Sequence, residues 1–159
     1  MTSKQIARDD LELRMERRIE LPAERLFDLW ARPEHFREWW GPTDNDGRPF
    51  LVFFHEADFR EGGAWRVGMR APDGTEYWQR GVYQAIVRPS RLMFTFTWGN
   101  DSPGRAEMLI DVSFVAQGDA TLMRFRQSHF PSRESRDGHM IGWEQCFGRL
   151  ADYAQNRRT

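Results

Sequence analysis

Leu21-Pro22-Ala23-Glu24-Arg25-Leu26-Phe27-Asp28-Leu29-Trp30 is the stretch from which the fold is read. Pro22 lacks a backbone donor, so it breaks a strand and suits a helix's first turn. Leu26, Phe27 and Trp30 then fall on one face of a short helix over 23–31. Upstream, Leu11, Leu13, Met15 and Ile19 alternate with charged residues, which is the period of a half-buried strand. Downstream, Pro33 starts a second short helix over 34–40, ended by Gly41-Pro42. Met1 to Asp10 are polar and read as a flexible N-terminal segment, followed by one domain over 11–156.

From residue 43 the texture changes. Asp44-Asn45-Asp46-Gly47 is a turn cluster. Segments rich in Phe, Val, Trp and Thr follow, broken at Gly62-Gly63, Asp73-Gly74, Pro89-Ser90, Asn100 to Gly104 and Gly118-Asp119. They place strands near 50–58, 64–71, 75–87, 91–98, 106–116 and 120–129, and short turns between them imply an antiparallel meander. After Pro131-Ser132, Met140, Trp143, Phe147, Leu150 and Ala154 recur at helical spacing with charged residues between them. The class is α+β: a curved antiparallel sheet wrapped around a long C-terminal helix, with two short helices after the first strand. Such a geometry leaves a cavity between sheet and helix.

The composition suits a cavity. Seven Trp, twelve Phe and three Tyr occur in 159 residues. Large rigid rings bury much area but fill space coarsely. The net charge of −1 argues against a nucleic-acid or membrane-surface binder. The longest apolar run, Phe50 to Phe54, is far too short for a membrane span. One cysteine, Cys146, excludes an intrachain disulfide, and with no recognisable signal peptide it points to the cytoplasm. His35, His55, His129 and His139 make no metal motif, and no phosphate loop or dinucleotide fingerprint is present. The Asp44 to Gly47 cluster lacks the later ligands of a calcium loop. No metal and no cofactor is expected.

Four segments carry a resemblance. They are Leu21 to Trp30 continuing through Pro33 and Glu34 to Trp39-Trp40-Gly41-Pro42; Asp58-Phe59-Arg60-Glu61-Gly62-Gly63-Ala64-Trp65; Gly81-Val82-Tyr83 with Ile86, Pro89 and Arg91-Leu92; and His139-Met140-Ile141-Gly142-Trp143 with Leu150 and Tyr153. In this order the chain resembles the SRPBCC, or START-like helix-grip, superfamily. It is most similar to the branch named after the activator of the heat-shock protein 90 ATPase. The resemblance implies a helix-grip domain with a cavity for a lipid-like or aromatic ligand, without one shared reaction. The co-chaperone that names the branch carries a large domain before its helix-grip domain, where about ten residues stand here, so a chaperone partner is not expected.

The candidate ligand-binding residues follow from strand and helix faces. Trp39 and Trp40 end a helix beside the cavity mouth, with one ring expected inward and one at the rim. Trp65, Val67 and Met69 share one strand face, as do Phe94, Phe96 and Trp98, and as do Met108, Ile110, Val112 and Phe114. Most of these fill a core, and Trp65, Met69, Phe96, Trp98 and Met108 are the candidates for lining its unfilled part. The helix adds Met140, Trp143 and Phe147. Gly138 and Gly142 read first as close helix-to-sheet packing and second as room for ligand. Tyr77 or Tyr83, Gln127 and His139 are the polar groups that could orient a ligand. An enzyme of the cyclase, aromatase or hydrolase kind would need an acid and a base, and His139 and Tyr83 are the candidates. Cys146 reads as a small buried hydrophobe, since no activating base stands near it. A protein-interaction module is the third alternative, and uncapped sheet edges leave a homodimer open.

Overall fold

The computed structural model describes residues 11–99 and 106–157. The expected flexible segment at 1–10 and the turn at Asn100 to Gly104 lie outside the described residues. The chain runs β1 (Leu13–Ile19), α1 (Ala23–Ala31), α2 (Pro33–Trp39), β2 (Leu51–Ala57), β3 (Ala64–Arg70), β4 (Glu76–Val87), β5 (Arg91–Trp98), β6 (Met108–Gln117), β7 (Ala120–Ser128) and α3 (Arg133–Gln155). The strand order is β1-β7-β6-β5-β4-β3-β2, antiparallel throughout. Strands β2 to β7 form the meander that their short turns require, and β1 pairs beside β7. The sheet, the two short helices and the long C-terminal helix are those expected.

The register settles which strand faces are inward. Trp65, Val67 and Met69 on β3, Phe94 and Phe96 on β5, and Met108, Ile110, Val112 and Phe114 on β6 are all buried. Gly81 allows the close approach of β3, β4 and β5. A Cβ there would lie 1.9 Å from the Thr95 carbonyl oxygen and 2.5 Å from Trp65 Nε1. Those two atoms are hydrogen-bonded to each other at 3.2 Å.

Helix α1 buries Leu26, Phe27, Leu29 and Trp30. Pro33 opens α2, which buries Phe36 and Trp39. The helix ends at Trp39, one residue before the expected end, and Trp40 is extended. The two indoles therefore do not follow helical spacing, and neither lies at a rim: Trp39 is 0% and Trp40 1% exposed. Next, Gly41 has φ +116°, and a Cβ on it would meet Met69 Sδ at 3.0 Å. Arg149 of α3 fixes this turn. Its Nη1 donates to the carbonyls of Trp40 (3.3 Å), Gly41 (2.8 Å) and Phe50 (3.1 Å).

Ser132 caps α3, its Oγ accepting from the Ser135 N–H at 3.1 Å. The buried residues of this 23-residue helix are Trp143, Cys146, Phe147, Leu150 and Ala154. All lie from Trp143 onward. From Arg133 to Gly142 every residue is half-buried or exposed.

Candidate functional site

A cavity of about 360 Å³ lies where the first half of α3 fails to fill the space against the sheet. Its sheet wall is Gln79, Phe96 and Trp98, and Trp40, Gly41 and Pro42 close one end. The helix presents Gly138, His139, Gly142, Trp143 and Cys146, with Glu134 and Ser135 near the exposed mouth. The size falls in the range of small-molecule sites, and aromatic walls with few polar groups are typical of them.

The two helix glycines are the local cause of the space. A Cβ on Gly138 would meet nothing within 4 Å, and one on Gly142 would only reach Pro42 Cβ at 4.0 Å. Close helix-to-sheet packing, the first reading of these residues, is therefore not their role. They leave room.

The polar geometry is specific. Trp98 Nε1 donates to His139 Nε2 at 2.9 Å. An indole N–H can only donate, so Nε2 must accept and Nδ1 carries the proton. That Nδ1–H meets the Ser135 carbonyl oxygen at 2.7 Å. Burial lowers the His139 pKa, with the Ser135 bond opposing it. Protonating Nε2 would also break the bond to Trp98. His139 thus borders the cavity as a neutral ring with both nitrogens engaged, which removes it as a free acid or base. The Cys146 thiol is pushed up to about 12 by burial, so it is no ready nucleophile. It accepts from the Gly41 N–H at 3.4 Å and points its own weak donor at the Trp39 carbonyl at 3.6 Å.

This fold and this cavity accompany a sequence match over residues 20–155 to the family described as activator of Hsp90 ATPase homolog 1-like protein. The chain belongs to that family. Solved structures of similar shape include the AHSA1 protein of Silicibacter pomeroyi (25% identity, TM-score 0.80, covering 92% of this chain and 99% of that one). A protein of Rhizobium leguminosarum has 23% identity and a TM-score of 0.73, covering 91% of this chain and 94% of that one. A protein of Chromobacterium violaceum has 22% identity and a TM-score of 0.77, covering 89% and 95%. None of the curated proteins matches the chain.

In this member of the Hsp90-activator-like family, five of the sequence candidates border the cavity: Trp40, Phe96, Trp98, His139 and Trp143. Eight do not. Trp39 packs on Trp30 at 4.8 Å between ring centres and donates to the Leu29 carbonyl at 2.9 Å. Trp65 is held by Thr95, and Met69 lies against Gly41. Met108 and Gln127 face one another, Gln127 Nε2 donating to Met108 Sδ at 3.4 Å. Gln127 reaches the cavity only indirectly, by accepting from Trp143 Nε1 at 2.7 Å. Phe147 stacks on Trp143, and Met140 is partly buried against the core. Tyr83 packs against Phe59 and Phe94, and burial raises its pKa. It cannot serve the cavity as acid or base. His129 is exposed at φ +71° and does not join His139, which packs on Phe130 instead.

Gln79 is the lining residue that sequence reasoning missed with a signal in hand. The strand period that puts Tyr77 and Tyr83 on one face of β4 puts Gln79 there too. Gly41, Pro42, Glu134 and Ser135 carry no such signal, because helix and turn meet only in the folded chain.

Proposed function

We propose that this protein binds a small, largely apolar or aromatic molecule in the cavity between the sheet and the first half of α3. One observation carries this: four large rings, Trp40, Phe96, Trp98 and Trp143, wall a space of about 360 Å³ that the helix leaves open with Gly138 and Gly142. Membership of the family supports it, since the helix-grip arrangement is consistent with a hydrophobic ligand. His139 orients the Trp98 indole and needs no proton-transfer role. The single buried cysteine fits a reducing cytoplasm. No described helix is long and apolar enough to cross a membrane.

The test is native mass spectrometry of protein purified without added ligand, repeated under denaturing conditions and on Gly142→Leu. An extra small-molecule mass on the native protein, absent after denaturation and from the variant, is expected. An adduct that Gly142→Leu retains in full would place the binding elsewhere.

A further inference from the structure

Each indole N–H around the cavity is already committed to a side-chain acceptor. Trp40 Nε1 donates to Gln79 Oε1 at 2.8 Å, Trp98 Nε1 to His139 at 2.9 Å, and Trp143 Nε1 to Gln127 Oε1 at 2.7 Å. The remaining His139 N–H goes to the Ser135 carbonyl. What the tryptophans offer a ligand is therefore ring surface and no donor.

Gln79 is different. Its residue is 4% exposed. The bond from Trp40 fixes the amide orientation, because an indole N–H requires the oxygen on its side. The amide NH₂ must then point away from Trp40, and it meets no acceptor among the described residues, while Gln79 borders the cavity. The related pair is closed. Gln127 accepts from Trp143 in the same way, but its NH₂ has Met108 Sδ at 3.4 Å. A donor facing an apolar cavity with no protein acceptor is free to pair with a ligand oxygen, which adds about one net hydrogen bond to binding. The Ser135 hydroxyl is the other side-chain donor, at the half-exposed mouth where water reaches it.

We propose that Gln79 Nε2 is the polar anchor of the cavity, and that the ligand class is a fused-ring or aromatic molecule bearing a hydrogen-bond-accepting oxygen such as a ketone. This rests on the ligand-binding role proposed above and narrows it. The rings hold the hydrocarbon body, and the amide N–H selects the molecule whose oxygen reaches it. A hydrocarbon of the same shape leaves that donor unpaired and binds more weakly. An anion has no cationic partner among the described residues that border the cavity.

The matched pair 1-indanone and indane tests this, titrated into the full chain and followed by NMR. The wild type is expected to bind indanone roughly three- to tenfold more tightly than indane, the worth of one net hydrogen bond. In Gln79→Glu, titrated at a pH where the carboxyl is ionised, the acceptor for Trp40 is kept and the donor is replaced by an oxygen. The indanone preference should vanish there, with indane affinity within about twofold of wild type by the same reasoning. Gln79→Met, which removes the donor without burying a carboxylate, serves if the first variant unfolds. Equal binding of the two molecules to wild type, or a preference that survives both substitutions, overturns the role of Gln79 and leaves the ligand-binding role standing. Failure of both molecules to bind overturns both.

Discussion

The interior under α3 has two halves, and both are aromatic. Under its second half, Trp30, Trp39, Phe27, Phe114 and Phe147 meet ring to ring at 4.8–6.2 Å and leave no comparable cavity. Under its first half, Phe96, Trp98 and His139 are as close to one another, at 5.5–6.3 Å, yet about 360 Å³ stays open beside them. The difference lies on the helix. Phe147 and Leu150 project into the filled half, whereas Gly138 and Gly142 project nothing into the open one. Aromatic richness alone does not make a cavity; the missing side chains opposite it do.

Truncation gives the largest contrast. Phe147→Ala should cost about 3–5 kcal/mol, the usual loss for a buried Phe in a packed core. Trp98→Ala borders a space that already exists and should cost less than half as much. Equilibrium chemical denaturation measures both, and equal losses would break the comparison.

Arg149 holds the boundary between the halves. Its replacement by Met strips four carbonyls, those of Glu38, Trp40, Gly41 and Phe50, of a charged donor and should cost about 2 kcal/mol in the same denaturation series. A near-neutral result would mean that the Gly41 turn is held by packing alone. At Gly138, a substitution to Ala should instead stabilise by about 0.5–1 kcal/mol, because the helix gains propensity with no clash. A loss there would show that the open space is filled by something the helix touches.

The filled half has one flaw, and it sets a pH dependence. Trp30 Nε1 and His55 Nδ1 are both buried without hydrogen-bond partners. Burial, helped by the charge of Arg37, lowers the His55 pKa from 6.5 to about 4. The unfolded chain takes up this proton as pH falls through 6.5, while the folded chain resists until about 4. Stability is thus complete above 6.5 and declines between the two values. His139 shifts in the same direction. Thermal unfolding of His55→Phe across that window should show a shallower acid slope than wild type. An unchanged slope would assign the decline to other groups.

Most of the fold was legible in the sequence because its signals are local. Pro22 and Pro33 mark two helix starts, strand alternation groups residues into rows that share a face, and turn residues separate the strands, while the strand register decides which rows are inward. The cavity was legible only in part. Periodicity gives the face a residue takes but not the depth of filling opposite it, so Met69, Met108 and Phe147 could not be told from Phe96, Trp98 and Trp143. The end of α2 one residue early leaves Trp40 extended rather than helical, so the direction of its ring departs from helical spacing. Gly138 and Gly142 were visible as costly helix residues, but whether a glycine answers crowding or leaves space depends on what stands across from it.

The most direct test is an NMR titration of the seven tryptophan indole N–H signals with indane. Occupation of the cavity should shift Trp40, Trp98 and Trp143, which border it, and leave Trp30, Trp39, Trp65 and Trp78 in place. No shift at saturating indane, or shifts led by Trp78 among Phe53, Phe54 and Arg66, would contradict a ligand site between the sheet and the first half of α3.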